Sequence, residues 1–313
     1  MHKIGIAGDT GMVGQELCKI LENHSKVEIT YKKNSTRQIG SPEDLELLFL
    51  ATKDRESMET AKELLTKSTD TRLKIIDMSG AFRLDRESFE KWYHMEHICP
   101  ELIEEAVYGM PALFREKVAA ARLVANPGCY PSSVILPLAA LSKFIEGEAT
   151  IVSTSGNSGA RRTKEETENE VTYSFGRRHK HVPEMEKYSG FRVNFTPIVI
   201  RSVFKGINTN IRIKLKDEID SVPAEQAEEM LINAIGKAYV PQDLIFTVTD
   251  TGSYQYGTAD VAGTNKLLLK IRVEDGYAYI NSLLDNLYKG AAGQGVENMN
   301  IMLGLDRLES LMY

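Results

Sequence analysis

A cysteine carried by a Pro-Gly turn to the start of an apolar helix is the residue of this sequence best placed for chemistry. The stretch reads Asn126-Pro127-Gly128-Cys129-Tyr130-Pro131-Ser132-Ser133. Pro131 suits a first helical position, and the pattern predicts a helix over 131–141. Cys129 then stands at the positive end of the helix dipole, which favours a thiolate. A free thiol with a pKa near 8.5 is only about 3% thiolate at pH 7, and a shift of about two units downward makes the thiolate the majority species. The thiolate is the form that attacks an acyl carbon. Cys18, on an apolar helix, reads as a small buried hydrophobe. Cys99, before Pro100, offers no such setting.

A thiol enzyme that handles acyl groups needs a proton carrier with a pKa near 7, and histidine fits. Arg177-Arg178-His179-Lys180-His181-Val182-Pro183-Glu184 gathers cations around two imidazoles. In an extended segment His179 and His181 point the same way. No third ligand accompanies them, so no metal is expected. A second loop, Ser153–Arg162, is rich in glycine and hydroxyls and follows a strand. Its Ser155 and Gly156 are candidates to close over a cofactor or hold an anion. Arg83, Arg201 and Lys205 are candidate clamps on carboxylate or phosphate.

The cofactor signal stands at the beginning of the chain. Gly8-Asp9-Thr10-Gly11-Met12-Val13-Gly14 follows a strand-like run and opens a helical pattern. Glycines let the backbone approach a pyrophosphate, and a helix N-terminus offers free N–H groups. The spacing is G-x-x-G-x-x-G, looser than the strict dinucleotide fingerprint. Asp9 is an oddity, since an acid repels a pyrophosphate unless it points away. After the second strand, where NAD-type folds expect an acid for the ribose, the chain reads Lys32-Lys33-Asn34-Ser35-Thr36-Arg37. Three cations, two hydroxyls and no acid suit a 2′-phosphate, with Ser35 and Arg37 as its partners, so NADP is favoured.

These residues need a scaffold. Lys3–Ala7, Val27–Tyr31, Glu46–Ala51 and Leu73–Met78 read as strands, and Met12–Leu21 as a helix with Val13, Leu17, Ile20 and Leu21 at helical spacing. Strands alternating with helices imply a parallel sheet covered on its faces. After about residue 149 the texture changes. Ala149–Thr154, Arg192–Ile200, Thr209–Leu215, Leu244–Thr249 and Lys266–Val273 read as strands, with alternation that suits a sheet solvated on one face. One helix, Ala224–Ala238, lies among them, and Ile280–Leu303 is helical in pattern but broken by glycines. The fold class is an α/β Rossmann-type nucleotide-binding domain plus an α+β domain with a mostly antiparallel sheet.

The chain has 313 residues, 42% hydrophobic and 26% charged, with a formal net charge of −6. That balance belongs to a globular protein and excludes a general nucleic-acid binder, which shows a basic excess. No apolar run reaches about 18 residues, so no membrane span is expected. The first residues enter a strand pattern rather than a signal peptide. Three scattered cysteines make no disulfide framework, and a reducing cytoplasm is the expected setting.

With these motifs in order, the sequence resembles the N-acetyl-gamma-glutamyl-phosphate reductases of the semialdehyde dehydrogenase superfamily, over almost the whole chain. The resemblance rests on the glycine loop at 8–14, DMSGAFRL at 77–84, VYGMP at 107–111, ANPGCYPSS at 125–133, SGNSGARR at 155–162, HKHVPE at 179–184, FTP at 195–197 and KGAAGQGVENMN at 289–300. It implies Cys129 as nucleophile, His179 as catalytic histidine and Asn298 as the asparagine of the nicotinamide site. It also implies Arg83, Asn126, His181 and Lys205 around the substrate. The implied reaction is NADPH-dependent reduction of N-acetyl-L-glutamyl 5-phosphate to the 5-semialdehyde and phosphate, through a cysteinyl thioester, in arginine biosynthesis. The implied domains are 1–129, completed by a C-terminal helix at about 284–313, and a catalytic and oligomerisation domain at 130–283. A homodimer or homotetramer is implied too. The sequence departs from the family pattern at Ala81, Ala112, Arg161 and Lys205, and its stretch between 31 and 46 is short. Two other readings stay open: a sister reductase acting on aspartyl phosphate or a carrier-bound aminoadipyl phosphate, and a silent NADP-binding sensor.

Overall fold

Apolar runs of four to six residues without polar alternation suit strands buried on both faces. Three of them form the centre of a sheet in the computed structural model, which describes residues 1–66, 72–159 and 170–311. The chain divides into two units: Met1–Gly128 together with the tail from Ala291, and Cys129–Gly290. The first holds strands β1 His2–Ala7, β2 Val27–Lys33, β3 Gln38–Ile39, β4 Leu47–Leu50, β5 Lys74–Asp77, β6 Val107–Tyr108 and β7 Leu123–Ala125. Their order is β3-β2-β1-β4-β5-β7-β6, and all pairs are parallel except β2 with β3. The order reverses between β1 and β4, the kind of switch point where open α/β sheets bind ligands. The glycine loop leaves the end of β1 at that point. Ile4, Ile6, Leu47 and Phe49 are fully buried beneath it.

The tail helix Ala292–Met302 lies in the first unit, packed against the helices Met12–Leu21 and Pro111–Ala120. It buries Glu297, which receives Arg307 Nε at 2.8 Å and Nη2 at 2.6 Å, with Gln294 Nε2 at 3.1 Å. Removing one partner of a buried pair strands the other charge. Arg307→Met is therefore expected to cost about 3–5 kcal/mol. In a thermal melt this is a fall on the order of 10 °C; a loss below about 1 kcal/mol would count against the pair.

The second unit carries β8 Ile145–Gly156, β9 Glu170–Thr172, β10 Arg192–Ile200, β11 Ile207–Leu215, β12 Ile245–Thr247, β13 Leu267–Glu274 and β14 Tyr277–Leu284. Their order is β12-β13-β14-β11-β8-β10-β9. Pairs β8/β10 and β12/β13 are parallel and the rest antiparallel. Asp275 and Gly276, both at positive φ (49° and 76°), turn β13 into β14, as an Asp-Gly hairpin should. Helices Cys129–Leu141 and Ala224–Ala238 pack on this sheet. The helix Cys129–Leu141 is buried nearly all round, so it has no polar face to show in the sequence. Among the described residues no helix is long and apolar enough to cross a membrane.

Three expectations need correction. Ile280–Leu284 is strand, because its residues pair in register with both β11 and β13; only Ala292–Met302 realises the helical pattern. The tail thus joins the first unit from Ala291 rather than from 284, and Cys129 opens the second unit. Finally, the helix begins at Cys129 itself, ahead of Pro131.

Candidate active site

Cys129 is the first residue of its helix and is half-buried. A chain of hydroxyls holds that first turn. Ser133 Oγ donates to Tyr130 O at 2.8 Å and shares a 2.7 Å bond with Thr209 Oγ1, which lies 2.6 Å from Ser153 Oγ. Helix start, β11 and β8 are thereby tied through groups with almost no exposure. A buried hydroxyl must find a partner, and here the partners fix where the cysteine stands.

His179 and His181 lie in a turn rather than in the extended segment expected, with His181 at the N-cap of helix Val182–Ser189. Their rings still meet, 4.6 Å apart and edge to face. Tyr130, the residue after the cysteine, packs edge to face on His179 at 5.5 Å and on His181 at 6.1 Å. Tyr173 and Phe195 close the cage at 5.4 Å and 5.5 Å from His179. Tyr173 OH donates to Tyr130 OH at 3.2 Å. Burial, helped by the charge of Lys180, pushes His179 down to about 4. The His181 N–H donates to His179 Nδ1 at 3.1 Å. A neutral imidazole with an accepting Nδ1 carries its proton on Nε2.

Ser155, Gly156 and Lys205 are also brought together in this unit. A Cβ on Gly156 would lie 2.5 Å from Phe204 O and 2.9 Å from Lys205 N. Only glycine lets the two segments approach so closely. Lys205 Nζ stands 5.5 Å from the Tyr288 ring centre. Arg201 follows β10 and is half-buried. Arg161 and Arg162 lie outside the described residues.

In the first unit, Gly8 has φ +89° and a Cβ there would meet Ala51 O at 2.3 Å. A Cβ on Gly14 would meet Gly8 O at 2.1 Å, so this glycine serves the packing of helix on strand. Gly11 faces looser space and begins the helix without a side-chain cap. The N–H groups of Met12 and Val13 are thus left to a ligand or solvent, while Thr10 O accepts from Gln15. Asp9 turns away from that opening. It takes Asn34 Nδ2 at 2.8 Å and Arg37 Nη2 at 3.0 Å. Burial opposes its ionisation, but these two bonds and the charges of Arg37 and Lys32 outweigh it and hold the carboxyl below its usual range. Asn34 also accepts from Thr36 N and Arg37 N, shaping the loop that presents exposed Ser35.

Arg83 and Asn126, expected to touch substrate, are occupied in the fold. Arg83 Nε donates to Asn126 O at 2.7 Å and Nη2 to Met78 O at 3.1 Å. Asn126 Nδ2 donates to Ala291 O at 3.2 Å. The two tie main chain together, since a buried guanidinium needs acceptors and takes the nearest carbonyls. Asn298 Nδ2 donates to Gly109 O at 2.9 Å and to Asn126 Oδ1 at 3.0 Å. Its own Oδ1 is buried and has no partner among the described residues, which fits an amide donor from a cofactor. Motif reasoning missed Tyr130, Tyr173 and Phe195 as a cage, because aromatic residues in a core pattern carry no mark of what they surround. It also passed over Asp77, a fully buried carboxyl raised to about 6 by burial despite hydrogen bonds from Ser79.

A parallel nucleotide sheet joined to a mixed sheet bearing a helix-borne cysteine defines the semialdehyde dehydrogenase class. Its NAD-binding domain profile matches residues 3–44 and 37–121, and its dimerisation domain profile matches 129–286. Solved structures agree in fold: aspartate semialdehyde dehydrogenase II from Vibrio cholerae has a TM-score of 0.68 at 15% identity, covering 96% of this chain and 98% of that one. Aspartate semialdehyde dehydrogenase with NADP from Candida albicans gives 0.67 at 16%, covering 97% and 98%. Sequence relatives are nearer. N-acetyl-gamma-glutamyl-phosphate reductase of Dehalococcoides mccartyi is 36% identical over 99% of this chain and 97% of its own. That of Thiobacillus denitrificans is 33% identical over 97% and 96%. The chain belongs to the N-acetyl-gamma-glutamyl-phosphate reductase family.

Proposed function

We propose that this protein reduces N-acetyl-L-glutamyl 5-phosphate to N-acetyl-L-glutamate 5-semialdehyde and phosphate, with NADPH as reductant, as a step of arginine synthesis. The observation that carries this reading is Cys129 at the first position of a buried helix, sharing Tyr130 with a desolvated, neutral His179. The Cys129 thiolate, favoured by the helix start, attacks the acyl carbon; the bond from carbon to phosphate oxygen breaks, and phosphate leaves with the electron pair. A thioester remains on Cys129. The nicotinamide cofactor, when bound, supplies the hydride that reduces it. The oxyanion so formed re-forms its C=O bond as the C–S bond breaks, releasing the aldehyde and returning Cys129 as the thiolate. His179, with its proton on Nε2, serves as a hydrogen-bond donor to the oxygen that gains charge. N–H groups at the helix start act in the same sense, a contribution commonly worth about 3 kcal/mol.

The residues around the glycine loop fit a nicotinamide dinucleotide: Gly11 leaves room for phosphate, and Asn298 Oδ1 is ready for an amide. For NADP over NAD the support is Arg37, held by Asp9 beside Ser35, with Lys32 and Lys33 nearby and no acid within residues 32–37. A charge-assisted contact of this kind is worth about 1.5–3 kcal/mol. Arg37→Ala is thus expected to lower kcat/KM for NADPH roughly tenfold or more while leaving NADH within about twofold. Equal losses with both cofactors would assign Arg37 to the loop alone. We infer that a second copy of the chain packs on the open face of the second sheet, a reading supported by the exposed Val152 and Tyr279.

The test is reduction of NADP by N-acetyl-glutamate 5-semialdehyde with and without phosphate, beside aspartate semialdehyde. A rate needing phosphate and the N-acetyl group supports the reading. A rate with aspartate semialdehyde alone moves the assignment to the sister substrate.

A further inference from the structure

The segment Asp285–Gly290 links β14 to the tail, and its side chains take no part in the chemistry above. It touches several pieces of the second unit. A Cβ on Gly290 would lie 2.7 Å from Cys129 Cβ and 2.7 Å from Asn286 O. The Gly290 backbone therefore rests directly against the nucleophile. Asn286, almost fully buried, accepts from Gly206 N at 2.8 Å and donates to Ser158 Oγ at 2.9 Å. It thereby holds both the Lys205–Gly206 turn and the loop that follows Ser155 and Gly156.

The segment is itself rigidly built. Asp285 is fully buried. Its Oδ1 accepts from Leu287 N at 2.8 Å and Tyr288 N at 3.2 Å, and its Oδ2 accepts from Gly263 N at 2.7 Å. Gly290 N returns to Asp285 O at 3.0 Å. Lys289 is buried, with Nζ donating to Asp243 O at 3.2 Å. A turn with its buried polar groups satisfied has little freedom to shift, and what leans on it inherits that precision.

We propose that Gly290 and Asn286 are positioning residues: Gly290 sets the place of the Cys129 thiol, and Asn286 sets the Lys205–Gly206 turn and the Ser158 loop relative to it. The proposal rests on the cysteine chemistry above. A misplacement of about 1 Å costs on the order of a hundredfold in rate, so a β-carbon forced between Gly290 and Cys129 has a visible effect.

The experiment compares native protein, Gly290→Ala, Asn286→Ala and Asn286→Asp. It reads kcat and KM in the phosphate-dependent assay, melting temperature, and alkylation of the Cys129 peptide by iodoacetamide, followed by mass. For Gly290→Ala, kcat is expected to fall roughly ten- to a hundredfold with KM within about threefold. Alkylation at neutral pH slows, and its pH midpoint moves upward as the thiol leaves the helix end. Asn286→Ala is expected to keep native alkylation and raise KM for semialdehyde and phosphate at least about fivefold. Asn286→Asp, which keeps the acceptor for Gly206 N–H, recovers part of that loss. Native alkylation and kcat in Gly290→Ala overturn the role of Gly290. Unchanged KM in a folded Asn286→Ala, or no recovery in Asn286→Asp, overturns that of Asn286. Should Gly290→Ala not fold, the Asn286 pair decides the proposal. Alkylation needs no substrate, so a native protein without turnover refutes the assigned reaction and leaves the positioning test standing.

Discussion

Cys129→Ser is expected to leave the protein folded and able to bind NADPH while lowering turnover by at least about a thousandfold. The exchange is nearly isosteric, and the hydroxyl chain from Ser133 through Thr209 to Ser153 does not pass through the cysteine. A serine hydroxyl stays protonated where a thiol ionises, and an alkoxide is a poor leaving group from the hemiacetal. Both halves of the reaction therefore suffer. The glycine loop at Gly8–Gly14 does not include the cysteine, so nucleotide affinity is expected within about twofold of native. The check is a fluorescence titration with NADPH beside the phosphate-dependent assay. Full turnover in the serine variant would remove the covalent mechanism altogether.

The second large effect concerns His179. His179→Gln is expected to lower kcat by roughly a hundredfold or more, the usual range for loss of one donor to a developing oxyanion. Its pH behaviour is more telling. With the ring held at about 4 by burial and Lys180, and Nδ1 engaged by the His181 N–H, the imidazole stays neutral through the physiological range. The native kcat profile should then show no histidine limb between pH 5.5 and 7.5 that vanishes in the variant. Such a limb would mean that the ring charges during turnover and acts as a base instead of a fixed donor. The same shift bears on stability. The folded value lies below the unfolded value of about 6.5, so the contribution is complete above that pH. It is lost as pH falls from about 6.5 toward 4, by up to about 3 kcal/mol for this group. His179→Gln should flatten that part of the stability profile.

Much of the architecture was legible because its causes are local. Met12–Leu21, Arg192–Ile200 and Ala224–Ala238 form over the residues that periodicity marks, since an apolar stripe or a two-residue alternation is itself the reason those segments bury one face. The glycine loop and the Pro-Gly-Cys turn are legible for a similar reason: glycine and proline constrain the backbone wherever they stand. Ile280–Leu284 misled, because a short apolar run fits either a helix or a central strand, and only β11 and β13 on either side make it a strand.

At the site, residue types alone specified a nucleophile, a histidine pair and a phosphate cradle, and for these the chemistry follows from the side chain itself. What a side chain does with its hydrogen bonds was decided elsewhere. Arg83 and Asn126 carry the groups that bind carboxylates, yet the fold surrounds them with buried carbonyls, and burial obliges a polar group to take the partner at hand. Asp9, a charge that should repel a pyrophosphate, becomes the anchor of Arg37 because residues far apart in the chain meet there. The tautomer of His179, the cage around it and the contact of Gly290 with Cys129 belong to the same kind. Residue types and local spacing name the groups that can react and the segments that carry them. Which proton each group holds, and what it bonds, is set by packing across the fold, because desolvation and hydrogen bonding depend on neighbours that no local pattern names.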